Sequence, residues 1–179
     1  MTSPKPVRPV KLLVAILYRE KQALMQATDA LSRHWGEIDF AGTDHAFDMT
    51  DYYKAEMGEG LVRRLVSFSR LVPPESIRGA KLICNEIEER LMGKGGRRAN
   101  LDIGYLDHHK VVLASVKGAG HKIHLGDGVW ADLVGRYRDG RYQPFDWTFP
   151  DFSDGRYDDE LASIRKMYLH ESKTQTQGD

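Results

Sequence analysis

The sequence KLLVAILY, residues 11–18, determines the first element of the fold. Its part from Leu12 to Tyr18 is the longest uninterrupted apolar run in the chain. A helix needs roughly 20 apolar residues to cross a bilayer, so this short run predicts a buried strand and argues against a membrane protein. The next segment, from Lys21 to Gly36, has apolar residues at helical spacing before a glycine that ends it. The chain is therefore expected to start with a strand followed by a helix.

Later patterns predict further strands and helices. A short alternating stretch near Ile38 and a helix over Tyr52–Met57 precede a strand from Leu61 to Val72. Pro74 then begins a helix whose apolar residues recur every three or four positions. The remaining strands are predicted at 99–105, 110–116, 122–125 and 129–137, and the last helix at about 158–170.

This order predicts an α+β fold. We expect a ferredoxin-like βαββαβ core with an elaborated, mainly antiparallel C-terminal sheet and a closing C-terminal helix. A doubly wound parallel sheet is the main alternative. The strands after Arg97 follow one another closely, and this spacing favours antiparallel hairpins over parallel crossovers.

Length and composition predict a single domain over residues 11–171, between a flexible arm at 1–10 and a flexible tail at 172–179. The first residues lack the pattern of a signal peptide, and one cysteine excludes an intramolecular disulfide framework, so a cytoplasmic location is expected. The 26 basic and 26 acidic residues balance. The chain therefore lacks the positive field that drives non-specific nucleic-acid binding, although a local basic patch stays open.

The glycine-rich segment GKGGRR, residues 93–98, is the first candidate for a ligand site. Glycines let backbone N–H groups approach a phosphate, and Arg98 adds positive charge. A P-loop, however, needs its last glycine at the head of a helix, whereas this segment follows a helix and leads into a strand. A flexible connection between helix and strand is the alternative interpretation.

The strand that follows alternates polar and apolar residues. Arg98, Asn100 and Asp102 share one face, and Tyr105 lies on the other. A cation, an amide and a carboxylate in register could orient a polar ligand. A solvated face of an antiparallel sheet would give the same pattern.

Two further segments could contribute to the same site. The loop from Lys117 to His121 contains two glycines, a lysine that could neutralise an anion and a histidine suited to proton transfer near neutral pH. A plain hairpin turn is the alternative. The segment from Trp147 to Asp151 places aromatic rings beside an acid, and it could line a pocket or seal the edge of the core.

Histidine pairs do not predict a metal site. His121 and His124 lie three apart on a predicted strand, where they project to opposite faces. The pair at 108–109 has the same defect, and Cys84 belongs to a buried helical stripe. A site for a hard cation stays open, built from three aspartates on separate segments: Asp102, Asp107 and Asp151.

Four segments in a fixed order form a distinctive pattern: FDMTDYYKAEMG (47–58), RRANLDIGYL (97–106), ASVKGAGHKIHL (114–125) and FDWTFPDF (145–152). Together they resemble the bacterial family of unknown function called DUF4416, over nearly the whole chain. The usual family motifs read closer to NLDPGYL and HRIYL, so Ile103 stands in place of a proline and His124 in place of a tyrosine. The resemblance implies no catalytic residue. Some members are labelled GTP-binding, but this sequence has neither a P-loop nor an Asn-Lys-x-Asp motif.

Two hypotheses for function follow. In the first, the protein is an enzyme or a binding domain for an anionic small molecule, such as a nucleotide or a phosphorylated metabolite. Arg98 and Lys117 would hold the anion. His121 and Asp102 would act as acid and base. The remaining pocket residues would be Asn100, Tyr105 and Asp151.

In the second hypothesis, the protein is a non-catalytic module that binds protein or RNA. Its contact surface would be the arginine-rich hairpin around residues 136–141 and the segment at Trp147. A concave pocket would favour the first hypothesis, and a flat basic face with exposed aromatic rings would favour the second. The sequence indicates no particular cofactor and no oligomeric state.

Overall fold

The fold is given by a computed structural model that describes residue 3 and residues 5–176. Its strands are β1 (Val10–Tyr18), β2 (Ile38–Ala41), β3 (His45–Ala46), β4 (Val62–Val72), β5 (Ala99–Leu106), β6 (Lys110–Ser115), β7 (Ile123–Gly126), β8 (Val129–Arg138) and β9 (Arg141–Pro144). Its helices are α1 (Lys21–Trp35), α2 (Lys54–Met57), α3 (Ile77–Arg90), α4 (Pro150–Ser153) and α5 (Asp158–Thr176).

The strands of the described chain form one sheet. Their spatial order is β2-β4-β1-β5-β6-β8-β7, with β3 beside β4 and β9 beside β8. Every pairing among these strands is antiparallel. The α+β class, the mainly antiparallel sheet and the C-terminal helix are therefore confirmed. The alternative of a doubly wound parallel sheet is wrong, because short connections join the later strands as hairpins.

Helices cover both faces of the sheet. Leu31 of α1 and Ile87 of α3 belong to the core on one face, and Ile164 of α5 belongs to the core on the other. β1 lies between the two cores, and all nine of its residues are buried. A strand covered on both faces has no solvent side, which explains why its sequence is continuously apolar instead of alternating.

The C-terminal helix is longer than the sequence predicts. α5 runs on to Thr176, so Ser172 to Thr176 is helical although a tail was expected from residue 172. Glu171 supplies a physical reason, because its carboxylate accepts hydrogen bonds from Lys11 Nζ at 2.8 Å and fastens this end of the helix to β1. Residues 177–179 lie outside the described chain. The flexibility of the arm at 1–10 stays a prediction.

Lys11 is the charged residue of the buried strand β1. Its side chain is fully buried, and Nζ donates to Asp39 at 2.5 Å and to the Phe68 carbonyl at 2.9 Å, in addition to Glu171. Burial raises the pKa of Glu171. Burial also acts to raise the pKa of Asp39, but the hydrogen bonds from Lys11 and Ser67 and the charge of Lys11 together outweigh it, and the net shift is downward. One lysine thus joins β1, β2, β4 and α5.

Replacing Lys11 with methionine should lower the free energy of unfolding by about 3 kcal/mol, because two half-buried carboxylates lose their shared cation. Denaturant titration measures the difference. Lys166 is exposed on α5, and its replacement by methionine is the matched control, with an expected change below about 0.5 kcal/mol. Equal stability of Lys11→Met and the wild type would contradict the role assigned to Lys11.

Candidate functional site

A gap in the sheet creates a cavity between two of its strands. β5 and β6 pair at three positions, from Gly104 opposite Leu113 to Leu106 opposite Val111. β5 nevertheless stays paired with β1 as far as Ala99, and β6 stays paired with β8 as far as Ser115. The first half of β5 and the second half of β6 therefore diverge. We call the space between them the β5–β6 cavity.

Gly104 lies where the two strands still touch. A Cβ at this position would overlap the carbonyl oxygen of Val112 and the side chain of Leu113. Glycine is therefore required here by the close approach of β6. The cavity opens immediately beyond this contact.

Two side chains of α3 provide hydrogen-bond partners for backbone groups at the open edge of β5. The Leu101 N–H donates to Glu88 Oε1 at 2.7 Å, and Lys81 Nζ donates to the Leu101 carbonyl at 3.0 Å. Buried backbone groups need hydrogen-bond partners, which β6 would provide in a continuous sheet. Lys81 and Glu88 are themselves buried, and their charged atoms lie 3.8 Å apart. They replace the backbone hydrogen bonds that β6 would otherwise make to Leu101, so the gap between β5 and β6 leaves no backbone group of Leu101 unpaired.

Arg97 connects the cavity floor to its outer wall. Its guanidinium donates to Asn100 Oδ1 at 2.8 Å and lies 3.3 Å from Glu88 Oε2 and 3.2 Å from Glu56 Oε1. Glu56 belongs to α2, which forms part of the wall. Burial raises the pKa of Glu88, although Lys81, the Leu101 N–H and Arg97 all act to lower it.

The β5–β6 cavity has the size of a small-molecule site. Its volume is about 560 Å³, within the usual range of about 300 to 1,000 Å³ for ligand pockets. Polar side chains of β4, β5 and α3 form the floor. Large apolar side chains at the mouth are exposed to solvent, and such groups offer a surface for a flat apolar ligand. They are Tyr52, Met92, Val116 and Phe149.

Arg63 of β4 lies on the floor between two carboxylates. Its Nη1 donates to Asp151 Oδ2 at 2.6 Å and its Nη2 to Asp102 Oδ2 at 2.8 Å. The Tyr157 hydroxyl also donates to Asp151, at 2.9 Å. Burial acts to lower the pKa of Arg63, but the two carboxylates outweigh it and the net shift is upward. With one cation and two carboxylates, this cluster has a formal excess of one negative charge.

Asn100 supplies an unused donor in the floor. It lines the cavity and is only 4% exposed, and its Oδ1 accepts the hydrogen bond from Arg97. Within the described residues, Asn100 Nδ2 has no hydrogen-bond partner. A buried donor in this state costs about 1–3 kcal/mol. Such groups mark candidate functional positions.

His121 contacts the wall of the cavity through Asp132. His121 Nε2 lies 3.3 Å from Asp132 Oδ1, and the imidazole stacks on Trp147 with 5.1 Å between ring centroids. Lys122 Nζ lies 3.2 Å from the other Asp132 oxygen and donates to Ser115 Oγ at 3.1 Å. The carboxylate beside His121 is therefore that of Asp132. An acid and base role for His121 and Asp102 stays a prediction.

The structure brings together part of the site predicted from sequence. Lys117 lines the cavity with Asn100 and Asp102, whereas Asp151 reaches it through Arg63. Arg98 and Tyr105 do not line it. β5 begins one residue after Arg98, whose guanidinium instead donates to Gln26 on α1 at 2.9 Å. Tyr105 faces the core under α1 and α3 because side chains alternate along a strand.

Sequence reasoning missed Arg63, Lys81 and Glu88. Lys81 lies four residues after Ile77, and Glu88 four residues after Cys84, on a helix whose buried stripe contains both apolar residues. Charged residues adjoining a buried stripe were the available signal. Arg63 gave no comparable signal, because its partners lie far away in the chain.

The arginine-rich hairpin, predicted as an alternative contact surface, has little unneutralised positive charge. In the arginine hairpin, Arg138 lies 3.4 Å from Asp139 and Arg141 lies 3.3 Å from Asp158, so acidic neighbours offset both charges. Among the residues that the structure describes, no cluster of three or more His, Cys, Asp or Glu side chains could hold a metal ion. No helix in the described part of the chain has both the length and the apolar character needed to span a membrane.

Fold and site together define an α+β domain whose antiparallel sheet is interrupted by a polar cavity. Residues 8–168 match the family described as Domain of unknown function (DUF4416). The match covers nearly the whole chain, and the chain therefore belongs to this family, as its sequence motifs predict. Comparisons with curated proteins and with solved structures gave no match.

Replacing Arg63 with methionine should lower the free energy of unfolding by about 3–5 kcal/mol, because fully buried Asp151 would lose its cation. Adding Asp151→Asn to this variant should restore part of the loss. Exposed Arg70, also on β4, provides the control Arg70→Met, which should change stability little. A double variant no more stable than Arg63→Met would contradict the assigned ion pair.

Glu88→Gln should gain stability relative to the wild type as pH rises. The folded-state pKa of Glu88 is raised, so its protonated form favours folding below the unfolded-state pKa near 4.5, and this contribution is lost as pH rises through the folded-state value. The glutamine can still accept the Leu101 N–H. Unfolding titrations between about pH 4 and pH 8 measure the difference.

Glu86→Gln is the control for this series, because Glu86 is exposed on α3 and pairs with Arg90 at the surface. Its stability relative to the wild type should stay nearly constant over the same pH range. A parallel pH dependence in both variants would contradict the assignment to Glu88.

Proposed function

We propose that this protein binds a small organic molecule with an acidic group in the β5–β6 cavity. The observation that carries the proposal is the gap itself. Only three of the eight residues of β5 pair with β6, and two buried charged side chains stabilise the open edge of β5. Burying charges is costly unless they are well paired. A sheet that accepts this cost around a cavity of about 560 Å³ favours ligand binding over a purely structural role.

Lys117 is the proposed partner of the acidic group. Its ammonium lies 3.8 Å from the centre of the Tyr52 ring and donates to the Tyr52 hydroxyl. Within the described residues, no carboxylate lies at ion-pair distance from Lys117. Nucleotides and phosphorylated metabolites belong to the proposed class, since a flat ring could pack against Tyr52 or Phe149 while a phosphate meets Lys117.

We also propose that β1, α1, β2, β4, α3 and β5 form a ferredoxin-like βαββαβ core. The strand order β2-β4-β1-β5 supports it, as do α1 and α3 on the same face. The other strands and α5 would elaborate this core. We place the protein in the cytoplasm as one domain over residues 11–171, and the buried Cys84, whose pKa is raised by burial, fits a reducing compartment.

A thermal-shift screen against nucleotides, phosphorylated metabolites and organic acids tests the proposed function. A ligand at 100 times its Kd should stabilise the protein by about 2.7 kcal/mol. Asn85 lines the cavity from α3, and Asn85→Trp should fill part of it and abolish the shift. The neighbouring exposed position supplies the control Glu86→Trp, which should keep it. A shift that survives in Asn85→Trp would place binding elsewhere.

A further inference from the structure

We infer that the ligand of the β5–β6 cavity is a zwitterion, with a cationic amine at Asp102 and an acidic group at Lys117. This inference rests on the proposed function and narrows it. It comes from the distribution of charge among the residues that line the cavity.

The floor of the cavity has one negative charge in excess. Arg63 forms ion pairs with two carboxylates. The side chain of Asp151 is fully buried, and that of Asp102 is 25% exposed. Asp102 uses Oδ2 for Arg63, and its Oδ1 makes no hydrogen bond within the described residues. The excess charge is therefore accessible to a ligand at Asp102, where an ammonium group could bind Oδ1.

The other charged residues of the floor and walls offset one another. Lys81 and Arg97 face Glu88 and Glu56, and Lys122 faces Asp132, with each pair within 3.8 Å; the pairs are Lys81–Glu88, Arg97–Glu88, Arg97–Glu56 and Lys122–Asp132. Glu89 also lines the cavity, and like Lys117 it is exposed, so solvent and salt screen both charges; Lys117 differs because it lies against Tyr52, another residue of the cavity.

The mouth has the opposite excess. Lys117 contacts the ring and hydroxyl of Tyr52, and within the described residues no carboxylate neutralises it. The cavity therefore presents a negative charge at Asp102 and a positive charge at Lys117. A ligand with several phosphates would meet Asp102 unfavourably, and a simple acid would leave the excess negative charge of the Arg63 cluster without a cation.

The exposed apolar side chains at the mouth indicate a third group on the ligand. Tyr52 and Phe149 are 61% and 42% exposed at the mouth, and aromatic rings at such positions bind flat apolar groups. An amino group, an acid and a flat apolar group occur together in aromatic amino acids and their close relatives. This is the ligand class that the cavity fits.

Isothermal titration of the full chain with tryptophan, N-acetyltryptophan and tryptamine tests the inference, because the second probe lacks the cation and the third lacks the acid. Tyrosine with its corresponding derivatives, and a nucleoside monophosphate, complete the panel. A free aromatic amino acid should bind at least about tenfold more tightly than either of its derivatives, a difference of about 1.4 kcal/mol.

Two variants test which residue binds each charged group of the ligand. Asp102→Asn should weaken binding of the amino acid about tenfold and leave the N-acetyl derivative unchanged. Lys117→Met should weaken the amino acid and leave the amine unchanged. Lys94→Met, at an exposed position outside the cavity, should change neither. Thermal melts identify any variant that fails to fold, and the probe panel on the wild type then decides by itself.

The outcomes separate the two proposals. If N-acetyl acids or the nucleotide bind as tightly as the free amino acids, the zwitterion is wrong and the proposed acid-binding cavity stands. If tryptamine, which lacks the acid, binds as tightly as tryptophan, Lys117 has no role and both proposals fail. If no probe here and no compound of the broader acid screen binds, both also fail.

Discussion

The hydrogen-bond requirement of one buried strand edge governs the site. Leu101 lies on β5 where β6 has already moved away, yet both of its outward backbone groups are bonded. Unpaired buried backbone groups are strongly unfavourable, so the sheet could open here only with substitutes in place. Glu88 and Lys81 of α3 are those substitutes. The position of α3 and the existence of the β5–β6 cavity are therefore coupled through these two hydrogen bonds.

Two buried cations join the layers of the fold in a similar way at opposite ends of β1. Lys11 lies near one end and serves Asp39 and Glu171, whereas Arg63 pairs in register with Leu17 near the other end. Each cation holds two carboxylates from different elements, so removing either would leave buried charge uncompensated. At the Lys11 end the cluster is structural. At the Arg63 end it faces a cavity, and its excess negative charge becomes available for recognition.

Sequence reasoning succeeded where a single element has a long, regular pattern. The apolar run of β1, the stripe of α3 and the alternation along β5 predicted the elements and placed Asn100 and Asp102 on one face. The short elements β3, β9 and α4 have two to four residues, which is too few to establish a period. Arg98 was misplaced because the alternation of faces was extended to the residue before the strand, whereas β5 begins at Ala99.

The sequence by itself determined the class of fold, the family and the burial of β1, because these follow from local periodicity and from motifs that are contiguous in the chain. The tertiary structure alone decided that β5 and β6 separate beyond Gly104. It also decided that Arg63 meets Asp102 and Asp151, across sequence separations of 39 and 88 residues. No local pattern encodes such pairs, since their partners are selected by the packing of the whole sheet and its helices.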